Sequence, residues 1–233
     1  MAHELLNCMH GSPTPAQGYQ VLPPVDQIIF WDNGVVAKSR DLEQRLDRVE
    51  KQLRLYQKIS RFLTRPVPLA EALSSIVGLV AEFMHSDSCL LYLVSGEELV
   101  LCAAKGSNPG AVGEVKLRLA EGLTGWVARE RRVLAISREA YHDSRFKYFR
   151  DLPEDTYEAF LSAPIIARGR VAGVINLQHR EPHSHTGDEI EMVTTVGEQI
   201  GCLVAQSALD DADLSRINFA DLVLAGGTLA RES

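Results

Sequence analysis

Residues 160–177 read FLSAPIIARGRVAGVINL, two apolar runs on either side of Arg168-Gly169-Arg170. Run length, β-branched content and the charged glycine turn specify an antiparallel hairpin, so the fold must accommodate an antiparallel sheet. Pro164, inside the first run, calls for a sheet edge or a bulge at that point, because proline donates no ladder hydrogen bond. A second pair of runs, SCLLYLV and ELVLCAA, flanks Ser95-Gly96-Glu97. With Gly96-Glu97 as a two-residue turn, Leu91 opposes Cys102 and Cys89 lies diagonal to it on the same face. A two-residue shift in register would set the two cysteines directly opposite.

The segments around these hairpins have helical periodicity. From Pro68 to about Met84, Leu69, Leu73, Ile76, Val77, Val80 and Phe83 share one helix face. The glycine-rich KGSNPGAVG leads to a short strand, VKLRL, then a glycine turn, a short helix from about Thr124 and a strand over Val133–Ile136. The last long helix starts near Thr186, which caps it, and Asp188-Glu189 favour its N-terminus. Gly197, Gly201 and Ala205 form a row of small residues on that helix, suited to close helix-on-sheet contact. Hairpins with helices gathered at both ends of the chain define an α+β domain with a central antiparallel sheet.

Ahead of this domain, Leu42, Leu46, Val49, Leu53 and Tyr56 recur at spacings of four and three among charged and amide residues. A stripe this narrow is a coiled-coil seam that pairs with a second copy, or else the inner side of a helix lying on its own domain. Ile59, Phe62 and Leu63 mark a change from a partner-facing to a domain-facing stripe. Residues 1–38 carry Pro13, Pro15, Pro23 and Pro24 and read as mostly irregular, with VDQIIFW as an apolar island able to dock on the body. The expected organisation is therefore an irregular segment over 1–38, a coiled-coil linker helix over 39–65, the α+β domain over 66–208 and a flexible tail over 209–233.

Composition excludes several classes. The net charge of the 233 residues is −7 and no basic block could follow a phosphate backbone, which disfavours nucleic acid as a partner. No run approaches the roughly 18 apolar residues of a membrane span. The N-terminus lacks the pattern of a secretory signal. Cys8, Cys89, Cys102 and Cys202 are scattered, without a C-x-x-C pair, which argues against a disulfide framework or structural zinc. A reducing cytoplasm is the expected location.

One segment calls for a special explanation. HDSRFKYFRDLPEDTYEAFLSAPI, from His142 to Ile165, crowds Phe146, Tyr148, Phe149 and Tyr157 together with Arg145, Lys147 and Arg150. Together with EGLTGWVARERRVLAI, FLSAPIIARGRVAGVINL and a closing helix after HTGDEI, it makes residues 59–208 resemble the GAF domain family of small-molecule sensors. DSRFKYF followed by AFLSAPI is most similar to the sensor domains of the nitrogen-branch phosphoenolpyruvate–protein phosphotransferases. The resemblance implies a GAF-like sheet with helices on both faces, and an aromatic segment that roofs a ligand cavity over one of them. Phe146, Tyr148, Phe149 and Phe160 would form a wall and lid, with Trp126 near the rim. Tyr92, Ile136, Ser162 and Asn176 complete the expected ligand-binding set. The alternative is that these aromatics cover the sheet with no cavity beneath.

The expected function is that of a stand-alone sensor or adaptor without an effector domain, dimerised through helices and passing its signal to a protein partner. The resemblance identifies neither ligand nor cofactor. Two other readings remain: a thiol-based reductase like the free methionine sulfoxide reductases of this family, using Cys89 and Cys102, and a ligand-free dimerisation scaffold. Buried cysteine acting as a small hydrophobe is the commoner use. The cyclic-nucleotide pattern is broken, since Leu177 follows Asn176 and His185 stands in place of a phenylalanine. His179, His183 and His185, with Glu181, Asp188 and Glu189, could bind a metal. They lack a helical i, i+4 histidine pair, so a solvated loop with no metal is the expectation.

Overall fold

The structure is a computed structural model that describes residues 25–106, 109–146 and 157–208 and Ala220, with side chains from Ser39 onward. Residues 1–24 and the tail beyond Ala208, Ala220 apart, lie outside the described residues. So do Tyr148 and Phe149. The chain divides into two units, residues 1–48 and 49–233.

Helix α1 spans Val25–Ser60 and so begins well before Ser39, where an irregular segment was expected. After Pro24 no proline interrupts the chain until Pro66. Proline just ahead of the first helical turn is compatible with a helix start. Gly34 inside the run costs only about 1 kcal/mol relative to alanine, too little to break a long helix. Leu42, Leu46, Val49 and Leu53 are 55–67% exposed along α1, whereas Leu55 and Ile59 are 4% and 1% exposed. The change from outward-facing to domain-facing stripe falls at Leu55.

The second unit is built on one six-stranded sheet. Its strands are β1 (Ser88–Ser95), β2 (Glu98–Lys105), β3 (Lys116–Arg118), β4 (Leu134–Ile136), β5 (Ala159–Ala167) and β6 (Arg170–His179). They lie in the order β3-β2-β1-β6-β5-β4, every neighbouring pair antiparallel. Helices α2 (Leu69–Met84) and α4 (Gly187–Ser207) cover one face, and α3 (Gly122–Glu130) covers the other.

Both hairpins turn as the sequence indicates, with refinements. Arg168 and Gly169, both at positive φ, form the two-residue loop between β5 and β6, the backbone that a type I′ turn requires. Pro164 lies beyond the last β4 pairing, where β5 has become the sheet edge, and one residue ahead of the Ile165/Ile166 bulge. In the first hairpin Leu91 pairs with Ala103 and Tyr92 with Leu101. The ladder skips Cys102, so the expected Leu91–Cys102 pairing gives way to a bulge. Within it the Cys102 thiol donates to the Val100 carbonyl at 3.4 Å.

The helix-side core joins Leu73, Ile76, Val77 and Val80 of α2 to Leu91, Leu93, Leu161 and Ile175 of the sheet and to Val193, Val196 and Ile200 of α4. Each such side chain, fully buried, contributes about 1.5–3 kcal/mol. The small-residue row on α4 serves helix-on-sheet contact. A Cβ on Gly201 would stand 2.0 Å from the Ile166 carbonyl oxygen, and one on Gly197 3.1 Å from that of Pro164. Thr186 caps α4 in a reciprocal box with Glu189. The preceding loop departs from the solvated reading. His179 is 6% exposed, and the His183 N–H donates to the Ser137 carbonyl at 2.9 Å, which folds the loop back toward β4. Among the described residues no helix is long and apolar enough to cross a membrane.

Candidate functional site

The α3 face is where the aromatic and polar residues of interest converge. The chain enters α3 through Ala120 and Gly122, both at positive φ. This turn is held by the Arg118 N–H donating to Glu121 Oε2 at 2.9 Å and the Ala120 N–H donating to the Gly125 carbonyl at 3.0 Å. Any Cβ at Gly125 would lie 2.8 Å from Arg118 O, so only glycine lets the helix seat against its own turn. Seated there, α3 brings Thr124 to the sheet and leaves Trp126 half-buried beside it.

Ser162 and Asn176 are direct partners across β5 and β6. The Ser162 hydroxyl donates to Asn176 Oδ1 at 2.6 Å, and Asn176 Nδ2 donates to Thr124 Oγ1 at 2.8 Å. All three residues are buried. Leu90, Tyr92, Leu123, Val127, Leu134, Phe160 and Val174 make up the apolar cluster on this face. A buried polar chain with partners at each link ties α3 to the two central strands. Its remaining capacity, the second Asn176 N–H and the Thr124 hydroxyl proton, suits it to orient a polar atom placed against it.

At the rim, the Arg145 guanidinium carbon lies 4.5 Å from the centroid of the Trp126 ring. Asp143 holds it there. Arg145 donates from Nε to Oδ1 at 2.8 Å, from Nη2 to Oδ2 at 2.6 Å and from its backbone N–H to Oδ1 at 2.9 Å. These hydrogen bonds keep the Asp143 carboxyl below its ordinary range. Phe146 and Ile136, both half-buried, pack against the same cluster. Glu158, just before β5, accepts from the Tyr141 hydroxyl at 3.0 Å and the Glu139 N–H at 2.9 Å, which fastens the start of the aromatic segment to the strand.

Of the residues expected from sequence, Tyr92, Trp126, Ile136, Phe146, Phe160, Ser162 and Asn176 all belong to this side of the sheet. Sequence reasoning missed Thr124, whose place in GLTG was read only as a helix start. It also missed the Asp143–Arg145 clamp, although the i, i+2 pairing of opposite charges beside aromatics was there to be read. Cys89 and Cys102 lie on the other face, in the helix-side core. Burial pushes the Cys89 thiol up, so it stays protonated.

A six-stranded antiparallel sheet, a short helix seated by a glycine turn and a closing helix across the opposite face define a GAF domain. The GAF domain family matches residues 68–204, and the chain belongs to that family. A domain of this kind is a regulatory sensor. The Escherichia coli K12 protein of the phosphoenolpyruvate-dependent phosphotransferase system is 29% identical over 143 residues, 60% of this chain and 19% of that protein. The chain thus spans about a fifth of the length of that relative. The crystal structure of the GAF domain from an Acinetobacter phosphoenolpyruvate-protein phosphotransferase matches with a TM-score of 0.62 and 29% identity, over 71% of this chain and 96% of that one. A free methionine-R-sulfoxide reductase from Neisseria meningitidis, solved with its substrate, matches at 0.56 and 14% identity, over 67% and 88% of the two chains. At that identity the likeness is one of fold alone.

Proposed function

We propose that this chain senses a small organic molecule and signals as an adaptor, with the ligand held on the α3 face beneath the aromatic segment and α1 pairing with a second copy. The observation that carries this reading is the buried Ser162–Asn176–Thr124 chain set among Tyr92, Leu134, Phe160 and Val174. Apolar walls with a few convergent polar groups are the usual make-up of a small-molecule site. Arg145, paired with Asp143 and stacked over Trp126, adds polar groups at the rim, so a ligand carrying a polar group fits best.

A response reaches the helices through contacts already in place. Gly197 and Gly201 seat α4 on β5, and Gln199 Nε2 of α4 donates to Ser60 Oγ at the end of α1, 3.3 Å away. A ligand moves this linkage only if it binds two arrangements with different affinity. The exposed Leu42, Leu46, Val49 and Leu53 supply the apolar seam for dimerisation. The enzymatic alternative, a thiol-based reductase, needs an accessible thiolate near the polar chain. Cys89 and Cys102 are buried on the opposite face, which favours the sensor.

Mass spectrometry of small molecules released from the purified protein tests the reading. A Trp31→Phe variant then leaves Trp126 as the sole tryptophan reporter. A released metabolite that changes Trp126 emission on re-addition, and does so less in Arg145→Ala, is the expected result. An empty protein whose Trp126 emission ignores a cell-extract metabolite fraction would leave the dimerisation scaffold. Turnover of methionine sulfoxide would establish the reductase.

A further inference from the structure

His179 ends β6, and the loop that follows folds back so that three imidazoles meet. His179 and His183 stack with centroids 4.2 Å apart at 12°. The His185 ring lies 4.9 Å from that of His183 and 5.7 Å from that of His179. One nitrogen from each ring falls within 4.8 Å of the other two. His179 Nε2 is buried without a hydrogen-bond partner, and both His185 nitrogens are buried with at most the Ile136 backbone carbonyl to accept from one of them. Buried polar atoms in a native fold are nearly always partnered. Buried imidazole nitrogens gathered in one cluster therefore need an explanation.

We propose that His179, His183 and His185 form a binding site for one late first-row divalent cation, such as zinc or cobalt, with Glu189 positioning His183. Imidazole nitrogen is the ligand such ions favour over magnesium or calcium. Glu189 Oε1 lies 3.1 Å from His183 Nε2, so the carboxylate accepts that N–H and leaves Nδ1 with its lone pair. Asp87 accepts the Arg180 N–H at 2.8 Å beside the cluster. Asp87 and Glu189 thus both place negative charge where a cation would sit. Ligands must be neutral imidazoles. Burial, followed by its histidine neighbours, holds His185 down to about 4 and lowers His179 as well. Metal–nitrogen bonds of about 2.0–2.1 Å set ligand nitrogens about 3.4 Å apart, so the rings need close by no more than about 1.4 Å on binding. His183 and His185 stand on the loop, where a change of rotamer makes that movement. The bound ion would pin the end of β6 to the loop and to the first turn of α4.

The test uses the full chain without a polyhistidine tag, stripped with chelator and titrated with cobalt, then with zinc in competition. One equivalent of cobalt per chain, with the absorption of a low-coordinate site and a raised melting temperature, is expected. His183→Ala and His185→Ala should each weaken binding at least about 100-fold, and Glu189→Gln about 10-fold. His3→Ala/His10→Ala should leave the affinity unchanged. Both loop substitutions remove half-buried rings, and unchanged circular dichroism confirms that the apo variants fold. The thermal shift provides a second readout, present in the wild type and absent in both variants. Binding weaker than millimolar, or equal affinity in the wild type and the His183→Ala/His185→Ala variant, would overturn the proposal.

Discussion

Replacing Asn176 by alanine removes the middle of the Ser162–Asn176–Thr124 chain and gives a sharp test of how α3 is held to the sheet. Two hydrogen bonds, of 2.6 and 2.8 Å, are lost. The hydroxyls of Ser162 and Thr124 are left buried and lose their partner. An orphaned buried group costs about 1–3 kcal/mol, and a rotating hydroxyl recovers part of that, so the expected loss is about 3 kcal/mol. Ser162→Ala removes one donor and strands only Asn176 Oδ1, which sets its cost at about 1–2 kcal/mol. Because the two substitutions share one penalty, the double variant should lose about 1 kcal/mol less than their sum. Urea unfolding followed by tryptophan emission reads these values. At a slope of about 2 kcal/mol per molar, Asn176→Ala lowers the midpoint by about 1.5 M with the slope unchanged. A loss under about 0.5 kcal/mol, the range of an ordinary surface substitution, would refute the reasoning. Strict additivity in the cycle would do the same.

Leu46→Asp with Leu53→Asp places charge in the exposed α1 stripe; light scattering should show the particle mass halved, and an unaltered mass rejects the seam. Gly201→Ala forces a Cβ to within 2.0 Å of the Ile166 carbonyl oxygen, and should destabilise by about 1–3 kcal/mol on thermal unfolding; a neutral result would show that α4 can lift off β5 freely. Peptide mapping after brief alkylation should find exposed Cys202 modified and buried Cys89 and Cys102 protected until denaturant is added; rapid labelling of Cys89 would return the reductase to consideration. Asp143 is held below its ordinary value by Arg145, so the clamp it makes is present above an unfolded pKa of about 4 and lost as pH falls through the lower folded one. Trp126 emission in the Trp31→Phe background should therefore change only below about pH 4, and a transition centred higher removes Asp143 from that role.

Hairpins, helices and the face on which the candidate residues gather could be read because their signals are local. Two apolar runs around Arg168-Gly169, the stripe from Leu69 to Val80 and the Thr186–Glu189 box each lie within a few turns of chain. What escaped depends on contacts between distant residues. Thr124 joins the polar chain only because α3 lands on Asn176, 52 positions away. The bulge at Cys102 lies where Leu101 bonds Val115 and Gly113 on the far side of β2, which alternation along one strand does not reveal. The proximity of the three histidine rings escapes spacing rules that look for ligands on one helix, because here a loop folds back toward Ser137 to bring the rings together. The start of α1 was misplaced for the opposite reason. Prolines, a glycine and a mixed composition suggested irregularity, and a long run with no interior proline outweighed them.

Leu53 and Leu55 are two residues apart on α1 and so point about 200° away from each other around its axis. One is 55% exposed and the other 4%. The last turns of α1 are therefore a party wall, apolar on the domain side through Leu55 and Ile59 and apolar on the outer side through Val49 and Leu53. In the dimer proposed above, a second copy would cover that outer side, and a single helix about 10 Å across would be all that separates the interior of the domain from the interface. No layer of solvent would be left there to absorb slack. In that proposed dimer a change in the packing around Ile59 would become a change in how two chains grip one another, with no further moving part between them.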